Sequence, residues 1–273
     1  MPSIAEKRET FRRLHQSGCF VIPNPWDIGS AKYLQSLGFK ALATTSAGAA
    51  WAVGCADGDT PRDVMLAHIR MIVETTDLPV NADFEGGFAD APEGVAESVK
   101  LCVATGVAGL SIEDYTGDRA KPLYDIDFAV ARIKAARAAI DQSGGGVILT
   151  GRAEGLIRGV PDLEGMIERL QAYADAGADC LYAPGLTMSE QISAVVKAVA
   201  PKPVNVLMGQ PNPLRVHHLA DLGVRRISVG GSLARAAWGG FMHAAKLIAD
   251  EGSFDGFKDA APSAELNKLF RGS

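Results

Sequence analysis

Only four cysteines occur in the 273 residues, Cys19, Cys55, Cys102 and Cys180, and none forms a C-x-x-C pair or has a histidine at metal spacing. That scarcity excludes a disulfide scaffold and a structural zinc site. No apolar run approaches the eighteen or so residues that a membrane-crossing helix requires. The opening residues Ser3-Ile4-Ala5-Glu6-Lys7-Arg8 are charged where a secretory leader would be apolar, so a cytoplasmic protein with no membrane partner is expected. Positive charge is not in excess: 27 Lys and Arg stand against 32 Asp and Glu, and no basic stripe marks a nucleic-acid footprint. Small molecules are the expected partners. No low-complexity linker divides the chain, and its length suits one α/β domain over residues 1–273, with a C-terminal helical segment at about 250–273.

What the chain does contain is alternation. Short β-rich runs at residues 19–22, 41–45, 80–84, 108–112, 147–150, 180–183, 204–208 and 226–229 are separated by helical stripes. One stripe is Ala129, Ile133, Ala136 and Ile140; others are Leu163, Met166, Ile167 and Leu170, and Ile192, Val195, Val196 and Val199. Gly38, Gly106, Gly177 and Gly223 each sit where a helix stops and a strand is about to begin, a site for the left-handed helix C-cap. Repetition of that unit predicts a single parallel (β/α)8 TIM-type barrel, with an N-terminal helix and a C-terminal helical extension, in preference to a doubly wound open sheet.

Barrel chemistry gathers at the C-terminal ends of the strands. There the stretch "NADFEGGF", residues 81–88, plants Asp83 and Glu85 two residues apart, and strand alternation predicts that they share one face while Phe84 takes the other. Glu113 ends the next strand, and Asp57 lies in the glycine-rich "SAGAAWAVGCADGD" that follows the second. Carboxylates brought together repel, so they take up protons or attract a cation. No histidine or cysteine stands beside them, and such an all-oxygen set suits Mg²⁺ or Mn²⁺ rather than Zn²⁺. Loop capping and pairing with surface Lys or Arg is the plainer alternative.

Arg152, in "ILTGRAEG", either forks onto a substrate carboxylate or enolate oxygen, or pairs with Glu154. Ser46-Ala47-Gly48 offers main-chain N–H groups and a hydroxyl to an anion; Gly230-Gly231-Ser232 reads equally as an anion site or a turn. The five histidines, His15, His68, His217, His218 and His243, fall in helical patterns and are assigned packing or surface roles, and Met166 and Tyr173 are assigned to the core. No lysine ends a predicted strand, which disfavours Schiff-base chemistry.

These residues, in order, resemble the isocitrate lyase/phosphoenolpyruvate mutase superfamily. The resemblance runs from "PNPWDIGSAKYLQSLGFKALATTSAG" through "ADGD", "DFEGGF", "SIEDYTGD" and "GRAEG" to "RRISVGGSLARAAW". It implies a barrel enzyme that binds Mg²⁺ and a 2-oxo acid or its enolate. Asp83 matches the direct metal ligand, and Asp57, Glu85 and Glu113 match carboxylates that hold the ion through its waters; Glu85 stands where many members have aspartate. Ser46, Ala47 and Gly48 match the segment that binds the substrate carboxylate, and Arg152 the arginine at the reacting group. With Glu113 and Asp57, Arg152 forms the expected catalytic set; Trp26 and Asn205 complete the substrate-binding set.

The chain departs from the family where isocitrate and methylisocitrate lyases carry a cysteine loop, Lys-Lys-Cys-Gly-His. Here the stretch reads "YTGDRAKPLYD". Cys55 lies in another loop and is read as a small apolar filler. The asparagine-bearing gating segment of phosphonopyruvate mutases is missing too. The resemblance therefore implies a Mg²⁺-dependent lyase that cleaves a carbon-carbon bond of a small 2-oxo or 2-hydroxy dicarboxylate through a stabilised enolate. Its alternatives are a phosphorus-carbon enzyme, such as a phosphonopyruvate hydrolase or a carboxyphosphonoenolpyruvate-type mutase, and a non-catalytic oxo-acid-binding barrel. Specificity is expected in "YTGDRAKPLYD" and around Trp26 and Trp51. By the same resemblance "SFDGFKDAAPSAELNKLF" packs on or swaps with a neighbouring subunit, implying a homo-tetramer or dimer.

Overall fold

A computed structural model describes residues 2–271. Its eight strands are β1 (Phe20–Ile22), β2 (Leu42–Ala43), β3 (Val80–Asp83), β4 (Gly109–Glu113), β5 (Ile148–Arg152), β6 (Cys180–Tyr182), β7 (Val204–Leu207) and β8 (Arg226–Ser228). All pair in parallel, in sequence order from β2 to β8, and β8 returns to β1 with Phe20 opposite Arg226. Between β1 and β2 no ladder forms. Ala43 N donates to Pro23 O at 3.0 Å and Asn24 Nδ2 donates to Thr44 O at 2.9 Å, so the barrel is nearly closed. β2 is short because Thr45 already caps the next helix, Ser46–Ala52, its hydroxyl accepting from Gly48 N.

The helical stripes face the sheet as their spacing requires. Helix Ile126–Gln142 buries Ala129, Ile133, Ala136 and Ile140, and helix Leu163–Asp175 buries Met166, Leu170 and Tyr173. The four predicted stop glycines all adopt left-handed backbone, with φ between 82° at Gly38 and 102° at Gly177. Strand alternation then divides the apolar material in two. Outward residues such as Leu110, Leu149, Val206 and Ile227 join the helices in a surrounding layer. Inward Phe20, Ile22, Ala43 and Ile148 meet Phe11 of the N-terminal helix Ile4–Leu14, which stoppers the bottom of the barrel.

Gly109 marks how tight that stopper is. A Cβ there would lie 2.6 Å from both Phe11 Cε1 and Asn81 Oδ1. Above it the inward residues turn polar, with Asn81, Thr150, Asn205 and Arg226 buried as a middle layer and Asp83, Glu113 and Arg152 at the top. After β8, helix Ser232–Glu251 exposes Trp238, Phe241 and Met242, and helix Ser263–Arg271 sets Phe270 against Gly29. Among the described residues no helix is long and apolar enough to cross a membrane.

Candidate active site

Asp83, Glu113 and Arg152 are the last residues of three consecutive strands, and register sets Glu113 directly opposite Arg152. One guanidinium nitrogen, Arg152 Nη1, lies 3.1 Å from Asp83 Oδ1 and 3.1 Å from Glu113 Oε2, while Nε donates to Glu154 Oε1 at 2.5 Å. The pairing with Glu154 that the sequence offered as one reading of Arg152 is therefore present. It is not the whole of the arrangement. Nη2 has no hydrogen-bond partner among the described residues, so two N–H groups remain free for another oxygen. Burial opposes the charge on Arg152, but Glu113, Glu154 and Asp83 more than offset it and hold the group protonated.

The other side of Asp83 faces helix Ser46–Ala52. Ser46 N donates to Asp83 Oδ2 at 2.9 Å, and Ser46 Oγ donates to Asp57 Oδ1 at 3.2 Å. Glu85 reaches this group by a different route from the one strand alternation predicted. β3 ends at Asp83, and Glu85 takes a left-handed backbone, φ 48°, in a tight turn closed by Gly87 N donating to Phe84 O at 2.9 Å. Phe84 does go to the core as expected. A turn, not the pleat, brings Glu85 beside Asp83, and non-glycine residues pay strain for that conformation.

The carboxylates keep signs of that crowding. Burial, then the charges of Asp83 and Asp57, push Glu85 up to about 7, and its Oε1 is buried with no hydrogen-bond partner. Asp57 is raised by burial and by Asp83. Glu113 is raised by burial, with Arg152 pulling the other way. Among the described residues no three His, Cys, Asp or Glu side chains lie close enough to grip an ion directly. Arg152 stands between Asp83 and Glu113. A hard divalent ion that keeps most of its water, touching one carboxylate and reaching others through water, still fits the oxygen-only donors and the orphaned Glu85 Oε1.

A cavity of about 160 Å³ runs from Ser46, Asp57, Asp83 and Arg152 down to Asn205 and Arg226. Beside it a recess of about 540 Å³ is bounded by Glu85, Glu113, Tyr115, Arg119 and Arg158. Ala47 and Asn205, expected to touch substrate, line the cavity. Trp26 and Gly48 do not: Trp26 borders a separate apolar groove with Trp238 and Phe241, and Gly48 is buried where a Cβ would meet Thr45 and Trp26 at 2.7 and 2.9 Å. Cys55, expected as an apolar filler, is half-buried in its loop.

Three residues went unnoticed in the sequence. Arg158 donates to the buried Glu154 at 2.9 Å and stacks 3.7 Å over Tyr115; its spacing four residues after Glu154 was the available signal. Tyr182, ending β6, lies 5.1 Å beneath the Arg152 guanidinium. Arg226, opening β8, reaches the middle of the barrel, and nothing local in "VRRISVG" distinguishes it from Arg225. Asp114, by contrast, faces away from the cavity and anchors Tyr173 at 2.6 Å and Arg169 at 3.2 Å.

Comparison with known proteins agrees with the barrel fold. The family model described as phosphoenolpyruvate phosphomutase matches residues 11–249. Oxaloacetate decarboxylase of Pseudomonas putida strain GB-1 is 30% identical over 243 residues, covering 84% of this chain and 80% of that protein. A solved structure from Burkholderia cenocepacia J2315, whose lyase or mutase assignment is itself provisional, is 48% identical with a TM-score of 0.95 and covers 98% of each chain. The structure of 2,3-dimethylmalate lyase, a PEP mutase/isocitrate lyase superfamily member, is 29% identical with a TM-score of 0.85, covering 99% of this chain and 94% of that one.

Proposed function

The chain belongs to the phosphoenolpyruvate phosphomutase family, and from that premise we propose that it is a Mg²⁺-dependent lyase that cleaves a carbon-carbon bond of a small 2-oxo or 2-hydroxy dicarboxylate. The observation that carries this reading is the protonated Arg152, with Nη2 free, fixed between Asp83, Glu113 and Glu154 beside the unpartnered Glu85 Oε1. The names of the relatives support the substrate class, since they act on oxaloacetate and 2,3-dimethylmalate.

Asp83 would hold the ion directly, and Asp57, Glu85 and Glu113 would hold it through water. When bound, the ion supplies a Lewis acid that stabilises negative charge developing on the 2-oxo oxygen. The chain's own residues do the rest. Ser46 and Ala47 form the cavity wall against which the substrate carboxylate is oriented. Arg152 turns its free N–H groups to the oxygen that gains charge, and because its partners already fix it, little reorganisation accompanies the reaction. Tyr182 and Leu207 also line the cavity.

A screen of oxaloacetate, 2,3-dimethylmalate and phosphonopyruvate, with and without Mg²⁺, tests the reading. Mg²⁺-dependent release of a 2-oxo acid or carbon dioxide supports the lyase, and phosphate release from phosphonopyruvate replaces it with the phosphorus-carbon alternative. Mg²⁺-dependent binding of oxalate without any turnover would leave a non-catalytic oxo-acid-binding barrel.

Assembly into a homo-tetramer or dimer belongs to the same proposal. Helix Ser232–Glu251 buries only Ala234 within its own chain and leaves Trp238, Phe241 and Met242 exposed, an apolar face that association would cover. Light scattering coupled to size exclusion decides it: a monomer at micromolar concentration would refute the assembly.

A further inference from the structure

Below the rim the cavity ends on a charge that the reaction described above does not use. Arg226 is 3% exposed, yet it lines the cavity floor. Its Nε donates to Asn205 Oδ1 at 2.9 Å, Nη2 to Thr150 Oγ1 at 3.0 Å, and Nη1 to Asn81 Oδ1 at 3.4 Å. The fourth contact is His15 Nε2, 3.3 Å from Nη1. His15 Nδ1 donates to Phe11 O at 2.8 Å, so Nε2 is the acceptor and the ring is neutral. Four neutral acceptors thus serve five N–H groups. Among the described residues no carboxylate pairs with Arg226. A buried cation held only by neutral acceptors keeps its net charge, and it borders the polar cavity that opens at the rim.

We propose that Arg226 recognises the distal acid of the substrate, so that a four-carbon diacid binds lengthwise, with one end at the Asp83–Arg152 rim and its second carboxylate at the floor. The inference rests on the reading of the rim as a 2-oxo or 2-hydroxy acid site and adds the direction and length of the molecule. Strand geometry sets the length. Thr150 lies two residues below Arg152 on β5, and Asn81 two below Asp83 on β3. Two strand residues tilted in a barrel rise about 5 to 6 Å. The terminal carboxyl carbons of a four-carbon chain are about 4 Å apart, and their oxygens reach further. Ser111 and Ser228, on the wall between rim and floor, supply hydroxyls along the way. A substrate ending in a methyl group would cover Arg226 without pairing it, and so would be rejected.

Calorimetry in Mg²⁺ separates the parts. Oxalate probes the rim alone, lactate the rim with a neutral tail, and malate the rim with a distal acid. Malate is expected to bind at least tenfold tighter than lactate to the natural protein. In Arg226→Met that preference collapses, while oxalate affinity changes less than threefold. Asn205→Asp is the second variant, because it sets a carboxylate against a retained guanidinium and removes the preference without emptying the floor. Equal malate and lactate affinity in the natural protein, or a preference that survives both substitutions, overturns the inference while oxalate binding keeps the rim. Failure of oxalate to bind the natural protein would instead overturn the reading of the rim. Oxalate binding and the melting temperature of each variant, measured on the same sample, show whether it has folded.

Discussion

Arg152 and Asp83 stand on strands separated by β4, yet Nη1 of one and Oδ1 of the other lie 3.1 Å apart. The same nitrogen also meets Glu113, which ends β4 between them, at 3.1 Å. Asp83 is thereby fixed from both sides, by Arg152 on one oxygen and by Ser46 N on the other, at 2.9 Å. A carboxylate so constrained can present its remaining lone pairs in only one direction, which is the quality a metal ligand needs.

Asp83→Ala is expected to abolish Mg²⁺-dependent oxalate binding, with a loss of about a hundredfold or more in affinity. Calorimetry at matched Mg²⁺ concentration reads this directly. Affinity equal to that of the natural protein would remove Asp83 from the site.

Arg152→Lys keeps the charge but cannot meet Asp83, Glu113 and Glu154 together and still present two free N–H groups. The expected cost is about 3 to 4 kcal/mol of transition-state stabilisation, a loss of two to three orders of magnitude in kcat/KM. Steady-state kinetics on the diacid found in the screen is the measurement. A loss under fivefold would confine Arg152 to holding the fold together.

Glu85 makes stability depend on pH in the metal-free protein. Its carboxyl rises from 4.5 to about 7 on folding, so the folded state binds the proton more tightly. That contribution is complete below pH 4.5 and is lost as pH climbs through 7. Glu85→Gln has no proton to lose, and at pH 8 in a chelator it should be more stable than the natural protein by about 2 kcal/mol. Added Mg²⁺ should narrow the difference. Urea denaturation curves from pH 5 to 8 check it, and parallel curves for the two proteins would contradict the crowding described above.

His15 acts at the opposite end of the pH scale. Burial, and then Arg226, lower it from 6.5 to about 3, so the folded state resists the proton that the unfolded chain accepts. Its contribution is present above pH 6.5 and is lost as pH falls towards 3; between pH 7 and 4.5 the loss is about 2 to 3 kcal/mol. His15→Gln keeps a donor for Phe11 O and an acceptor for Arg226, and should flatten that part of the acid limb. An unchanged acid midpoint would show that His15 does not limit acid stability.

Eight strands, their order, and the rim at their C-terminal ends were readable from local pattern, because hydrophobic periodicity and helix-stopping glycines such as Gly106 and Gly177 act over a few residues. Asp83, Glu113 and Arg152 were readable for the same reason, since each ends a strand and a barrel collects strand ends. Trp26, expected at the substrate, lies just past the first strand and borders a groove with Trp238 and Phe241 of helix Ser232–Glu251. Glu85 was placed near its partners for the wrong reason, because the strand rule lapses one residue before it.

Residue types and spacing thus settled which carboxylates this chain owns and that a barrel would bring them to one rim. Only the folded chain decided what stands between them. Arg152 inserts among acids drawn from three different strand ends, and Arg226 reaches the cavity floor from the start of β8, where it meets Asn81, Thr150, Asn205 and His15. Those partners lie between 21 and 211 residues away in sequence. Long side chains such as arginine choose among distant oxygens by distance and dielectric in three dimensions, and neither quantity is written in the local order of residues.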